Sequence, residues 1–153
     1  MNYLDIQIAT QSSDYPTEQQ FQCWVDTVLR DPAQDSEIVI RLVDDEESAA
    51  LNQQYRHKSG PTNILSFPFE APEGIEMDLL GDLVICVPLI DKEAEQQRKL
   101  PEHHWAHITI HGVLHLLGYD HIEESEAEEM EALEIKLLNM LNITNPYQEE
   151  STQ

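Results

Sequence analysis

The chain has 153 residues, 41% hydrophobic and 25% charged, with 8 Lys+Arg against 30 Asp+Glu and a formal net charge of −22. That length suffices for a single domain with a real core and no disulfides, taken here as 1–153 with its last few residues frayed. Such acidity excludes a general affinity for polyanions, which comes from neutralising phosphates with cations, so any nucleic-acid function has to rest on a local site.

The opening segment, "MNYLDIQIAT", lacks a basic leader, and no apolar run reaches the length of a membrane span. Cys23 and Cys86 sit far apart in apolar stretches. They read as two buried free thiols rather than a bridge, which points to a reducing cytoplasm and no membrane partner.

"YLDIQIA" alternates and reads as a strand. "DYPTEQQFQCWVDTVLR" is predicted as a helix, with Thr17 and Gln20 as a capping box and Phe21, Trp24, Val25, Val28 and Leu29 at helical spacing. "SEIVIRLV" is rich in β-branched residues and reads as a second strand. "DDEESAALNQQYR" follows as a helix with acids in its first turn. "NILSFPF" and "GDLVICV" are short apolar strands on either side of the loop "EAPEGIEMD". "PLIDKEAEQQRK" is a short helix, broken from the next by Pro101. "EHHWAHITIHGVLHLLG" is a longer, largely apolar helix ending at Gly118. "SEAEEMEALEIKLLNMLN" is an amphipathic helix with a Ser125–Glu128 capping box and a stripe of Met130, Leu133, Leu137 and Leu141. The pattern is α+β, with about four strands and five helices grouped late in the chain.

The chemistry concentrates in "HGVLHLLGYDH", from His111 to His121. On a helix at ~100° per residue, His104, His107, His111 and His115 share one face. Imidazoles at i and i+4 converge on one metal ion, and both His107–His111 and His111–His115 qualify. All of His107, His111 and His115 together would spread over ~12 Å of helix axis, too far for bonds of ~2 Å to one ion. Gly118 can take the left-handed conformation that ends a helix, which brings His121 back towards His111 and His115. The predicted site is therefore His111, His115 and His121. Three neutral imidazoles suit zinc, or another divalent transition metal, with water completing the coordination. His103 and His104 are set aside as non-ligands, and His107 at most lines the site. The same stretch matches the zinc-protease pattern H-E-x-x-H-x-x-G-x-x-H except at one position, where Gly112 replaces the glutamate general base.

"HGVLHLLGYDH", preceded by "HWAH" and accompanied by "YRHKSGPTNILSFPFE", "LLGDLVIC" and "EAEEMEALE", resembles the signature of the YbeY family of bacterial endoribonucleases and rRNA maturation factors. The resemblance runs from about Tyr55 to Tyr147. It implies a metalloprotein with a mixed four-stranded sheet flanked by helices, a zincin-like metal site, and hydrolysis of single-stranded RNA. It further implies maturation of 16S rRNA near its 3′ end and a part in ribosome quality control, with the small subunit and ribosomal or assembly proteins as partners. By position, the family's zinc ligands fall on His111, His115 and His121, and its functional arginine on Arg56.

Arg56 and Lys58, expected in a loop after a helix, read alone as a solvated pair. Beside a metal, a planar guanidinium such as that of Arg56 can grip a phosphate. Arg98 and Lys99 read as a solvated helix end. Asp120 is either a partner orienting a ligand histidine or a turn and capping residue. Trp105 and Tyr119 are candidates for stacking on a base, with packing the better reading of Trp105. The general base stays unassigned, and the nucleophile is either a zinc-bound water or the RNA 2′-hydroxyl. Two rival functions follow from the same residues: a zinc-dependent peptidase-like hydrolase, which Gly112 opposes, and a non-catalytic ribosome-assembly factor with a stabilising metal.

Overall fold

The computed structural model describes residues 1–75, 77–119 and 124–147. In chain order the elements are β1 (Asn2–Ile8), α1 (Glu18–Val28), β2 (Ser36–Val43), α2 (Asp45–Arg56), β3 (Ile64–Pro68), β4 (Leu79–Cys86), α3 (Val87–Gln96), α4 (Pro101–Leu116) and α5 (Glu124–Met140). This is the α+β arrangement read from the sequence. The four strands form one mixed sheet in the order β1-β2-β4-β3. β1, β2 and β4 run parallel, and β3 pairs antiparallel with β4 at the edge.

Local chemistry explains the elements. Thr17 caps α1 by accepting from the Gln20 backbone N–H at 3.2 Å, and the Gln20 side chain accepts from the Thr17 N–H at 2.8 Å, so two otherwise orphaned donors are satisfied. Ile38, Ile40 and Leu42 of β2 lie on one face and are fully buried, as the period of two requires. Where β2 meets β4 the register shifts, and Gly81 sits there at φ 149°. A Cβ at Gly81 would lie 2.3 Å from the Phe67 carbonyl oxygen, so only glycine fits.

The sheet separates two apolar clusters. The larger unites Phe21, Trp24 and Val25 of α1 with the inner face of β2 and β4, with α3, with α4 and with Met130, Leu137 and Leu138 of α5. The smaller joins Val43, Leu65 and Val84 to Leu51 of α2 and Phe67 of β3 on the other face. α4 thus runs through the main core, and α2 covers the opposite side near the β3 edge.

Several expectations are corrected. Arg56 is the last residue of α2 rather than part of a loop, whereas Pro101 does separate α3 from α4, as the first residue of α4, where its missing N–H costs nothing. Ser125 is the second residue of α5 instead of its cap. The buried stripe of α5 is Met130, Glu134, Leu137 and Leu138, with Leu133 and Leu141 only partly buried. Both cysteines are free, but Cys23 is exposed and only Cys86 is buried. Burial pushes the Cys86 thiol up to about 12. Residues 148–153, expected to fray, lie outside the described residues.

Candidate metal centre and substrate cavity

From His104 to Leu116 every residue of α4 is buried except His111 and His115. Those two, four residues apart, share the one strip of the helix that the core leaves uncovered. Both line a cavity of about 790 Å³ that runs along β3, with Tyr55 and Arg56 at one side and Gly118 and Tyr119 at the other. Their Nε2 atoms converge to 2.9 Å. α4 ends in a Schellman turn: Gly118, at φ 102°, donates to the His115 carbonyl at 3.0 Å, and the Tyr119 N–H donates to Leu114 at 3.1 Å. The glycine therefore acts as the sequence predicts. Asp120 and His121, both singled out from the sequence, lie outside the described residues.

The residue that sequence reasoning missed is Glu134. Its side chain is fully buried on α5. Oε1 accepts from His111 Nδ1 at 2.5 Å and Oε2 from His107 Nε2 at 2.9 Å, while the Tyr147 hydroxyl donates to the same carboxylate. Burial alone raises a carboxyl, but hydrogen bonds from His107, His111 and Tyr147 and the charge at His111 outweigh it and hold Glu134 at about 2. Burial lowers His107 despite the neighbouring carboxylate, and burial together with Glu134 raises the Tyr147 hydroxyl. An ionised carboxylate can only accept, so both imidazoles present N–H to it. His107 is then a neutral donor whose buried Nδ1 has no hydrogen-bond partner among the described residues.

The ligand-capable atoms of His107, His111 and Glu134 lie within 4.8 Å of one another and could hold a metal ion. Their observed contacts are hydrogen bonds, and these turn His111 Nδ1 towards the carboxylate and Nε2 towards His115 and the cavity. A carboxylate behind an imidazole is the usual support of a metal-binding histidine. Convergent imidazole nitrogens suit a divalent transition metal, so the residues fit the ion that the histidine spacing implies. A signal for Glu134 did exist, because 130, 134, 137 and 141 follow a helical stripe at least as well as one through Leu133.

Arg56 is exposed, and the turn after it is pinned from below. His57 adopts the left-handed conformation at φ 57°. Asn52 donates to the Gly60 carbonyl at 2.9 Å, and the Ser48 hydroxyl both accepts from the Thr62 N–H and donates to its carbonyl. The segment between α2 and β3 is therefore held, and with it the end of α2. Lys58 is exposed and does not line the cavity. Trp105 is buried edge-on against Phe21 with ring centroids 6.0 Å apart, so it packs and does not stack on a ligand. His104 bonds Glu93 at 3.0 Å, and Glu93 in turn holds Asn63 at 3.2 Å, which ties α4 and α3 to the start of β3.

Gly112 faces the sheet. A Cβ there would lie 2.5 Å from Ile64 Cδ1 and 3.0 Å from Leu83 Cδ2. The position that carries the general base in the zinc-protease pattern is here a point of close helix–sheet packing, with no room for a side chain.

The mixed α+β fold thus places histidines backed by a buried carboxylate at a cavity, a group that could hold a metal ion. The sequence model of the family "Endoribonuclease YbeY" matches residues 5–142. An endoribonuclease YbeY of Colwellia psychrerythraea (strain 34H / ATCC BAA-681) is 54% identical over 151 residues, covering 96% of this chain and 97% of that protein. The chain belongs to the YbeY endoribonuclease family. A solution structure from Thermotoga maritima has the same fold, with a TM-score of 0.61, 24% identity, and coverage of 94% of this chain and 99% of that one. No helix among the described residues is long and apolar enough to cross a membrane.

Proposed function

We propose that the protein is a zinc-dependent endoribonuclease that cleaves single-stranded RNA, acting in the cytoplasm on 16S rRNA near its 3′ end within the small ribosomal subunit. The single observation that carries this reading is that Arg56 of α2 and His111 and His115 of α4 line one cavity, in a chain 54% identical to an endoribonuclease YbeY. The ligands are His111, His115 and, by its place just after the Gly118 turn, His121. His111 Nδ1 is engaged by Glu134, which leaves its Nε2, turned towards His115 and the cavity, to hold the ion. Glu134 approaches His111 at 2.5 Å, which favours a supporting hydrogen bond over shared coordination. Ribosomal or assembly proteins as further partners, and a single domain spanning the chain, belong to the same reading.

When bound, zinc supplies Lewis acidity that stabilises charge developing on a phosphoryl oxygen. The chain's own residues supply the rest. Arg56 holds the scissile phosphate through two parallel N–H donors and offsets the charge that accumulates as the phosphodiester breaks. Glu134 keeps His111 in one tautomer and orientation. Gly112 brings α4 against β3 and β4, which sets the depth of the histidine strip. A peptidase is disfavoured, because the position of its general base is packed against Ile64 and Leu83.

The test uses metal-stripped and zinc-restored protein on a labelled single-stranded RNA, with the H111A variant purified in parallel to control for contaminating nuclease. Cleavage should require added metal and be lost in H111A. Metal-independent cleavage at equal rate in both proteins would refute the reading, as would zinc-dependent hydrolysis of a peptide substrate with none of RNA.

A further inference from the structure

The cavity has a wall that phosphate chemistry does not use. β3 is an edge strand whose ladder to β4 engages the Asn63 carbonyl and the Phe69 N–H. Its alternation places Leu65 and Phe67 on the α2 face, where Phe67 packs against the Val43, Leu65 and Val84 cluster. Tyr55 of α2 meets Phe67 edge to face, with ring centroids 5.0 Å apart and planes at 70°. Tyr55 is nevertheless 56% exposed. Its ring is thus oriented by a partner anchored in the sheet while much of its surface stays open. Tyr55 lines the same cavity as Arg56, His111 and His115.

The charge of the chain says what such a ring is for. With 8 Lys+Arg against 30 Asp+Glu, phosphates beyond the one at Arg56 meet repulsion, so the backbone of a strand adds little further affinity. Contacts that carry no charge must supply the affinity. Every base has a π-face, and stacking on an aromatic side chain tightens binding roughly 5- to 150-fold per base. Such a face is accessible only when the base is unpaired. An extended peptide would use the same strand edge differently, by adding a strand, and Pro68 at the end of β3 lacks the N–H that this needs.

Resting on the nuclease reading above, we propose that Tyr55, braced edge-on by Phe67, is the stacking platform for one unpaired nucleobase of the RNA, beside the phosphate gripped by Arg56. The platform makes single-strandedness a binding requirement rather than a consequence of cavity width alone.

The test uses the zinc-loaded full chain and a short single strand of 2′-O-methyl ribonucleotides carrying one 2-aminopurine, read by fluorescence quenching and anisotropy. The unmodified protein should quench the probe. Y55A should lose the quenching and bind roughly 5- to 150-fold more weakly, with unchanged zinc content, while Y55F keeps both signals. Y55A that binds and quenches like the unmodified protein overturns the platform alone. Y55F that fails as badly as Y55A also overturns it, because the hydroxyl rather than the ring would be the contact. An unmodified protein that ignores the oligonucleotide yet binds an extended peptide removes the nuclease reading, and the platform with it.

Discussion

The two sides of the cavity are built by opposite means. On α4, His111 and His115 interrupt an otherwise unbroken run of buried residues, and the first of them is clamped by a carboxylate with no exposure at all. Across the cavity, Arg56 and Tyr55 stand exposed on the last turn of α2, held indirectly through Ser48, Asn52 and Phe67. On the proposed reading the α4 wall fixes an ion and so has to be rigid, and its rigidity comes from burial and from the hydrogen bonds of Glu134 to His107 and His111. A wall that meets a long polymer has to be reachable, so its side chains are anchored at the base and open at the tip. Substitutions on the two sides should therefore fail differently.

The largest expected effect is on the buried side. H115A should lose its zinc, measured as bound metal per chain after dialysis, and should melt at a lower temperature than the zinc-loaded parent, because metal affinity is folding energy. H107A should keep the ion. The reverse pair of results would move the metal to the His107–His111–Glu134 group and erase the contrast between a ligand strip and its support.

R56A comes next and should do the opposite. Metal content and melting temperature should match the parent, while RNA cleavage falls roughly 10²–10³-fold, the usual cost of removing a donor aimed at developing charge. R56K should recover little, since an ammonium lacks the two-pronged geometry. Full cleavage by R56A would reduce the exposed wall to scenery.

Glu134 sharpens the comparison from behind the ligands. E134Q should weaken zinc binding about 10- to 100-fold in a competition titration with a chromophoric chelator. Its pH signature has a definite sign in metal-free protein. The folded-state value of Glu134 lies below its ordinary 4.5, at about 2. Its contribution is therefore complete above pH 4.5 and disappears as pH falls towards 2, and it amounts to about 3 kcal/mol. His107, also lowered, acts in the same direction, since its stability contribution is present above its ordinary 6.5 and is lost on acidification. Urea unfolding across this range should show E134Q with a flatter slope than the parent below pH 4.5. Parallel curves would mean that the carboxylate is not ionised in the folded chain.

The smallest effect lies where the buried side meets the sheet. G112A should fold but be less stable by about 1–3 kcal/mol, the cost of forcing a methyl into a packed contact, measured by denaturant midpoint. An unchanged midpoint would mean that α4 can lift from Ile64 and Leu83 without penalty, and the ligand strip would then be less rigid than the comparison requires.

Much of this molecule was legible in the chain because the relevant forces act over one or two turns. The Thr17–Gln20 box, the alternation of "SEIVIRLV", the helical spacing of His111 and His115 and the turn at Gly118 each involve residues within a few positions of one another, so the order and kind of the elements followed from pattern alone. Glu134 did not follow, because what makes it a support is a pair of hydrogen bonds to residues 23 and 27 positions away. On its own helix it reads as one more acid among many. Likewise Tyr55 and Phe67, separated by a turn and half a strand, become an aromatic pair only once α2 is laid on the β3 edge. Cys23 was misjudged for the complementary reason: apolar neighbours in sequence say which segment packs, and only the rotation of α1 against the core says which side chain is left outside. Local preference selects elements, whereas burial and long-range contact are properties of their assembly, and these turn Glu134 into a clamp on His107 and His111 and fix the ring of Tyr55 against Phe67.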